Sequence, residues 1–362
     1  MKIAFLGDIA LIGKYDLTQS LNAKSRLNTI ADYLKNFDHV IGNLESPLTS
    51  KKKSLVCKSM HLRSDPINVE ILKFLNIDIV SLANNHSYDF GRKGIDDTIE
   101  ILKFNNIDFY GFDNKYVNIG DLTLRGYCCL TTNAFGYNSK SKEKGVNTLD
   151  YSKVISDVKN DNINGKLSLL SMHWGDEHTN YPRYEHVKFS RYLSKINNVV
   201  INGHHPHVVQ GIEEINDSII AYSQGNFCFD DCKSITGIGL ELKQNESNRE
   251  SFILEVEFDM NKIINTKTTG IKEIDGEIKL KCIDDKLNKL SKELLNITDV
   301  AQYQKMREAQ FNNKEFRLQK FGKKNLNCFV KRINYYSIGA FILGKLNKKK
   351  YIKILNNYQN EK

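Results

Sequence analysis

The 362-residue chain has 4 prolines, a single tryptophan and no pair of cysteines at Cys-x-x-Cys spacing. With so little proline, and 22 glycines in no triplet repeat, a collagen-like chain is excluded. Seven cysteines make an odd set without a regular framework, so neither a disulfide scaffold nor a thiolate zinc site is expected. Cys128 and Cys129 sit in an apolar run and read as small buried hydrophobes in a reducing compartment. Long hydrophobic runs are missing too. The longest, Tyr335 to Gly344, is about half of the ~20 residues a membrane span needs, and no transmembrane helix is expected. The N-terminal run Ile3-Ala4-Phe5-Leu6-Gly7 meets Asp8 without a cleavage site, so it reads as a first strand and not as a signal peptide. At 40% hydrophobic and 26% charged residues, intrinsic disorder is excluded. A cytoplasmic protein, at most peripheral at the inner face of the membrane, is the expectation.

Acid is scarce at one end. Residues 301–362 carry 15 Lys+Arg against 3 Asp+Glu, a net of +12, which leaves −3 on residues 1–300 out of the total of +9. Phe311, Phe316, Phe321, Phe329, Tyr335, Tyr336, Phe341 and Tyr351 are interleaved with these charges. Such a tail either docks on an anionic membrane surface or acidic polymer, or forms a helical appendage whose aromatics pack on the main domain. No nucleic-acid motif accompanies the charge, so a nucleic-acid partner is not expected. Oligomeric state leaves no mark in the sequence.

Short apolar runs at Ile3–Gly7, His39–Gly42, Ile77–Leu82, Ile107–Gly111, Leu167–Met172 and Val199–Asn202 read as strands. Between them helical spacing recurs in Leu27, Ile30, Ala31 and Leu34, in Ile95, Ile99 and Leu102 with Phe104, and in Phe189, Tyr192, Leu193 and Ile196. This is the rhythm of an α/β protein. After Gly203 the runs Val208–Ile212, Ile219–Ser223, Phe252–Phe258 and Ile278–Cys282 read as strands alone, and residues 243–249, which lack any apolar side chain, as a loop. From about Asp285 the chain turns helical and lysine-rich. Residues 1–285 are expected to form the main domain and 286–362 a basic, aromatic-rich helical extension.

Polar residues fall where the strands end. Asp8, Asn43-Leu44-Glu45, Asn84-Asn85-His86, His173-Trp174 and Gly203-His204-His205-Pro206-His207 each follow a strand, and in α/β sheets the carboxyl ends of strands are where sites assemble. Carboxylate, amide oxygen and imidazole are the ligand types of Mn²⁺, Fe²⁺ or Zn²⁺. Asp8 or Glu45 could bridge two such ions, and a two-metal centre suits phosphoester hydrolysis.

Together with Ser87-Tyr88-Asp89-Phe90-Gly91, Gly175-Asp176-Glu177 and Tyr222-Ser223-Gln224-Gly225-Asn226-Phe227, these motifs resemble the CapA family of bacterial capsule-synthesis, poly-γ-glutamate-type proteins, a branch of the calcineurin-like metallophosphoesterases. The resemblance covers residues 1 to about 260. It implies a four-layer αββα sandwich with a dinuclear site on its rim. By the resemblance, Asp8 holds the first metal, Glu45 bridges, Asn85 ligates the second metal, and His173, His205 and His207 complete the shells. His86 would protonate the leaving oxygen with Asp89 orienting it. Trp174 and Glu177 would line the substrate mouth, with Asn43, His204 and Asn226 as further substrate contacts. One departure is plain: the wider superfamily opens Asp-x-His, and here the residue two after Asp8 is Ala10, so the first metal has lost an imidazole.

The expected function is that of a metal-dependent phosphoesterase in bacterial capsule or cell-surface polymer biosynthesis, taking a phosphoester or surface polymer as substrate. Two other readings stay open: a catalytically weak assembly or binding protein for a surface polymer or its lipid-linked precursor, and a nucleotidase or phosphodiesterase on the same scaffold.

Overall fold

The computed structural model describes the chain except for residues 59, 133–134, 139–143, 234–240, 313–334 and 361–362. Strands β1 (Lys2–Ala10), β2 (His39–Leu44), β3 (Ile79–Ser81) and β4 (Asp108–Tyr110) alternate with helices α1 (Asn28–Leu34), α2 (Val69–Phe74) and α3 (Gly91–Phe104). Next come β5 (Val117–Ile119), β6 (Leu122–Cys128), the short β7 (Tyr137–Asn138) and β8 (Val146–Asn147), α4 (Tyr151–Ile163), β9 (Leu167–His173), α5 (Tyr184–Leu193) and β10 (Val199–His204). A strand-only stretch follows: β11 (Ile212–Ile215), β12 (Ser218–Ala221), β13 (Asn226–Phe229), β14 (Cys232–Lys233), β15 (Glu241–Leu242), β16 (Glu250–Asp259), β17 (Lys262–Ile274) and β18 (Glu277–Leu280). Helices α6 (Asp284–Leu295), α7 (Val300–Asn312) and α8 (Tyr335–Asn360) close the described chain.

Two sheets carry the fold. One runs β18-β17-β16-β1-β2-β3-β4 with β13 also paired to β1, the other β11-β12-β10-β9-β6-β5. Because successive strand residues point to opposite faces, each sheet feeds two cores. In β1, Ala4 and Leu6 pack toward α1–α3 whereas Ile3 and Phe5 face the second sheet. In β10, Val200 faces the first sheet whereas Val199 and Ile201 pack toward α4 and α5. The order is helices, sheet, sheet, helices: the αββα sandwich that the resemblance implied.

The helices obey the same logic. In α3 the buried positions Ile95, Thr98 and Leu102 lie three or four residues apart, the spacing of one helical face. Asp150 starts α4 by accepting a hydrogen bond from the Lys153 amide, a cap whose loss typically costs ~1 kcal/mol. Two readings of the sequence need correction. Residues 208–211 are bends and coil, so the Val208–Ile212 strand begins only at Ile212; Val208 and Val209 are buried all the same, which explains the apolar signal. Phe104, grouped with the α3 stripe, is 89% exposed at the helix end.

The C-terminal helices lie against the body. In α6, Leu287, Leu290 and Leu294 are buried. Tyr303 of α7 and Tyr351 and Tyr358 of α8 join the core between the second sheet and its helices. Phe316, Phe321 and Phe329 lie outside the described residues. Among the described residues no helix is long and apolar enough to cross a membrane.

One feature of β1 positions the site. Its first half, Lys2–Phe5, pairs antiparallel with β16, and its last residues, Asp8 to Ala10, pair parallel with β13. The change of neighbour falls at Gly7, where an added Cβ would stand 2.1 Å from the Gly225 carbonyl oxygen; only glycine permits that approach. Asp8 follows directly, at the split in the sheet.

Candidate metal centre and active site

The parallel strands β1, β2 and β3 of one sheet and β9 and β10 of the other end on a shared rim. They bring together side chains separated by up to two hundred residues. Asp8, Glu45, Asn85, His86, His173, His205 and His207 are all buried there.

Two donor groups share one carboxylate. Asp8, Glu45 and His207 form one and Glu45, His173 and His205 the other, the ligand atoms of each lying within 4.8 Å of one another. Glu45 decides the matter. It is 0% exposed, and neither of its oxygens has a hydrogen-bond partner among the described residues. Around Oε1 stand His173 Nε2 at 3.8 Å, His207 Nε2 at 3.8 Å and His86 Nε2 at 3.9 Å. That is too far for hydrogen bonds and fits donors that converge on a cation. A buried carboxylate without a partner is otherwise strongly disfavoured. Asn85 Oδ1 joins the second group, 2.9 Å from His173 Nε2. The residues therefore fit divalent metal ions.

The surrounding groups aim these donors. Asn43 Nδ2 donates to Asp8 Oδ1 at 2.8 Å and lies 3.4 Å from His173 Nδ1. Asn84 holds Asn43 in turn, donating to its Oδ1 at 3.1 Å and to the Leu44 carbonyl at 2.8 Å. Asn226 Oδ1 lies 2.9 Å from His207 Nδ1. The His205-Pro206-His207 turn is strained, with φ of 93° at His205 and 56° at His207, and Asp8 Oδ2 ties it down by accepting from the His205 amide at 3.1 Å. Non-glycine residues in this region cluster at functional sites.

Charge follows from burial and neighbours. Burial alone would raise the Asp8 carboxyl, yet the imidazoles of His204 and His207 hold it well below the usual carboxylate range. Burial pushes Glu45 up to about 8, with the Asp8 charge adding to it and His207 opposing. For His207 burial works the other way, and Glu45 and Asp8 together outweigh it and raise the imidazole to about 10. Burial, reinforced by His205, drives His173 well below its ordinary value, so it is a neutral imidazole free to act as a ligand.

His86 belongs to a second cluster on the same rim. Its Nδ1 stands 2.6 Å from Asp89 Oδ2, while Lys58 Nζ donates to Asp89 Oδ1 at 2.6 Å and to the Asn85 carbonyl at 2.6 Å. Lys58 Nζ is also 3.1 Å from His86 Nδ1. Burial lowers His86 to about 4, Asp89 opposing and Lys58 assisting. The free imidazole is neutral, with Nε2 turned toward Glu45.

Several expected substrate contacts have other partners. Trp174 is not at the mouth: it is 1% exposed, stacked on His186 at 4.6 Å, and its indole N–H donates to the Tyr222 carbonyl at 3.0 Å. As the residue just past β9, it continues the strand's alternation and faces the helix side, opposite His173. Asn43 and Asn226 instead bond Asp8 and His207, as described. His204 is 1% exposed; its Nε2 accepts from Asn202 Nδ2 at 2.9 Å, because Asn202 Oδ1 is taken by Ser171. Its Nδ1 stands 3.1 Å from Asp8 Oδ1, and His204 serves Asp8. Glu177 is half-buried, and its charge reaches Glu45 and His207. Sequence reasoning missed Lys58, which stands in a lysine-rich stretch with Lys51, Lys52 and Lys53 and carries no periodicity or motif to single it out. It missed Asn84 as well, although the Asn-Asn-His run that holds it was in view.

The family described as Bacterial capsule synthesis protein PGA_cap matches residues 2–231. The chain is 30% identical over 242 residues to the "PGA biosynthesis protein CapA" of Bacillus subtilis (strain 168), covering 64% of this chain and 63% of that protein. It is 29% identical over 247 residues to the "Capsule biosynthesis protein CapA" of Bacillus anthracis, covering 64% of this chain and 60% of that one. The chain thus matches somewhat over half the length of these curated relatives. Among solved structures, it is similar to sulfate thiohydrolase SoxB of Thermus thermophilus, 11% identical with a TM-score of 0.41 over 79% of this chain and 47% of that one. A second similar structure is TT1561, also of Thermus thermophilus, 10% identical with a TM-score of 0.38 over 74% of this chain and 97% of that one.

Proposed function

The chain belongs to the bacterial capsule synthesis family PGA_cap, and from that premise we propose that it is a metal-dependent phosphoester hydrolase acting in capsule or cell-surface polymer synthesis. The observation that carries this reading is the unpaired, fully buried Glu45 carboxylate ringed by three imidazole nitrogens. Asp8, Glu45 and His207 would hold one ion, and Glu45, Asn85, His173 and His205 a second, with manganese, iron or zinc all compatible with the donor set. Such ions supply a water activated at neutral pH and neutralise phosphoryl oxygens.

The chain's own residues do the rest. His86 presents Nε2 to the rim while Asp89 and Lys58 hold Nδ1. An incoming phosphoryl anion favours the imidazolium, and that proton passes to the leaving oxygen. Asp89 then faces the charged ring and Lys58 balances Asp89, so the buried cluster is never left with an unpaired carboxylate. Asn43, Asn84, His204 and Asn226 keep the ligands in place before substrate arrives.

A second reading, a weakly catalytic assembly protein, is favoured by Ala10. It is 0% exposed and packs with Ile12, Leu62, Phe229 and Cys232, so an apolar cluster occupies the place of the superfamily's first imidazole. Metal analysis of the purified chain, coupled to hydrolysis of an aryl phosphate monoester and diester with and without Mn²⁺, separates the two. About two ions per chain with metal-dependent turnover that His86→Ala abolishes is the expected result. Bound metal without turnover on any ester would establish the assembly reading, and turnover in the complete absence of divalent metal would sink the first.

A further inference from the structure

Helix α8 (Tyr335–Asn360) holds five lysines and no acid. One side of it is bound to the body. Near its start the Tyr336 hydroxyl donates to the Ser54 carbonyl at 2.9 Å, the Tyr336 ring lies 5.8 Å from that of His61, and Gly339 sits so close to Cys57 that an added Cβ would stand 2.5 Å from the Cys57 Cβ. Toward its end Tyr351 and Tyr358 are buried, with the Tyr358 ring 5.1 Å from Tyr151 and 5.7 Å from Phe189. These contacts fix which side of the helix looks outward.

The outward side is half apolar and half basic. Ile338, Ile342, Lys345, Lys349 and Ile352 follow one another at steps of three or four, the spacing of one helical face. Phe341 beside them is 63% exposed, Ile342 53% and Ile338 52%. Lys348, Lys350 and Lys353 are exposed on the same stretch.

We propose that this face of α8 seats the protein on an anionic lipid bilayer. A soluble polyanion would satisfy the lysines and leave Ile338, Phe341 and Ile342 in water. An apolar protein groove would accept those side chains and bury lysines unpaired, which is costly. The bilayer interface meets both demands at once, because apolar side chains enter the acyl boundary while lysine stems snorkel to the headgroups. Residues 1–300 carry a net charge of −3, so the excess positive charge lies in residues 301–362. The segment that receives the start of α8 also carries Lys58, which bonds Asp89 beside His86. The docking itself does not depend on the hydrolase reading.

The test uses the full chain and vesicles of phosphatidylcholine with or without about 30% phosphatidylglycerol, sedimented at about 50 mM and about 300 mM salt. Binding is expected with the anionic vesicles alone, weakening several-fold at the higher salt. Lys345→Glu with Lys349→Glu, and separately Phe341→Asp with Ile342→Asp, should each lower the partition coefficient at least ~10-fold. These positions are exposed, and the emission of Trp174, the single tryptophan and 1% exposed, reports whether each variant is folded. Phe341→Trp should add a band that shifts to the blue on anionic vesicles. Failure of the wild type to sediment at low salt overturns the proposal, as does binding that survives both double substitutions. Binding to soluble polyphosphate that ignores Phe341→Asp, with no binding to vesicles, assigns the face to a polyanion and likewise overturns it.

Discussion

Replacing Glu45 by Gln probes the centre of the site without a substrate. The Glu45 carboxyl is 0% exposed with both oxygens unpaired among the described residues, and burial moves it from 4.5 to about 8. An acid whose folded value lies above its unfolded one binds more protons folded than unfolded across that interval. It therefore weakens the metal-free fold progressively as pH rises from 4.5 toward 8, and the penalty levels off beyond. Glu45→Gln removes the penalty, leaves Asp8 to face His207, and loses the carboxylate shared by both donor groups. Gln remains a buried polar amide at this position, so the gain is only the part of the cost that the charge carries, about 1–3 kcal/mol. Unfolding entropy of ~2.1 cal/mol/K per residue gives ~0.8 kcal/mol/K for 362 residues. The metal-free variant should thus melt ~1–4 °C above metal-free wild type at neutral pH, with the gap closing near pH 4.5. An ion held at ~100 times its Kd adds ~2.7 kcal/mol, or ~3–4 °C, to the wild type, and the variant should keep less than half of that gain. Scanning calorimetry with chelator and with Mn²⁺ measures both differences. A variant that melts several degrees below metal-free wild type and retains the full Mn²⁺ shift would refute the reasoning.

Three further outcomes are expected. Gly203→Ala places a Cβ 1.8 Å from the Tyr222 carbonyl oxygen, at the strand end that delivers His204 to His207. A loss of about 2–3 kcal/mol and weaker metal binding should appear in urea titration and elemental analysis, and an unchanged midpoint would contradict the packing. Burial would raise Asp176, but Arg183 and Arg307, at 2.6 Å each, hold it well below the usual carboxylate range. Its contribution is present above an unfolded value of ~3.9 and lost as pH falls toward the folded one. Wild type should lose stability below about pH 4 faster than Asp176→Asn, as acid melts will show. Lys58→Met leaves the buried Asp89 carboxylate without its ion pair; turnover should fall about 10–100-fold with metal content unchanged, and an equal loss of metal would mean that Lys58 supports the ligands instead.

The candidate site was legible to the extent that the type of side chain at a strand end is local. Asp8, Glu45, Asn85, His173, His205 and His207 each follow an apolar run, and the end of a strand is readable from periodicity because buried strands demand unbroken apolar residues. Roles set by distant partners were not legible. Nothing near His204 announces Asn202 Nδ2 on one side of the ring and Asp8 on the other. Trp174 follows His173 in the chain, yet the alternation continued from the end of β9 turns it to the opposite face.

The amino-acid order by itself determined the α/β class, which acid, amide and imidazole side chains stand at the strand ends and the uneven distribution of charge, since these depend on residue type and spacing over a few positions. Only the tertiary structure decided which carboxylate is shared, that Lys58 joins His86 and Asp89, and which side of α8 is left to solvent. Those are properties of where separate segments meet, Gly7 against Gly225, Gly339 against Cys57 and Tyr358 against Tyr151. A contact between residues far apart in the chain leaves no mark on the local pattern of either one, because it is set by how the layers pack and not by the backbone's own preferences.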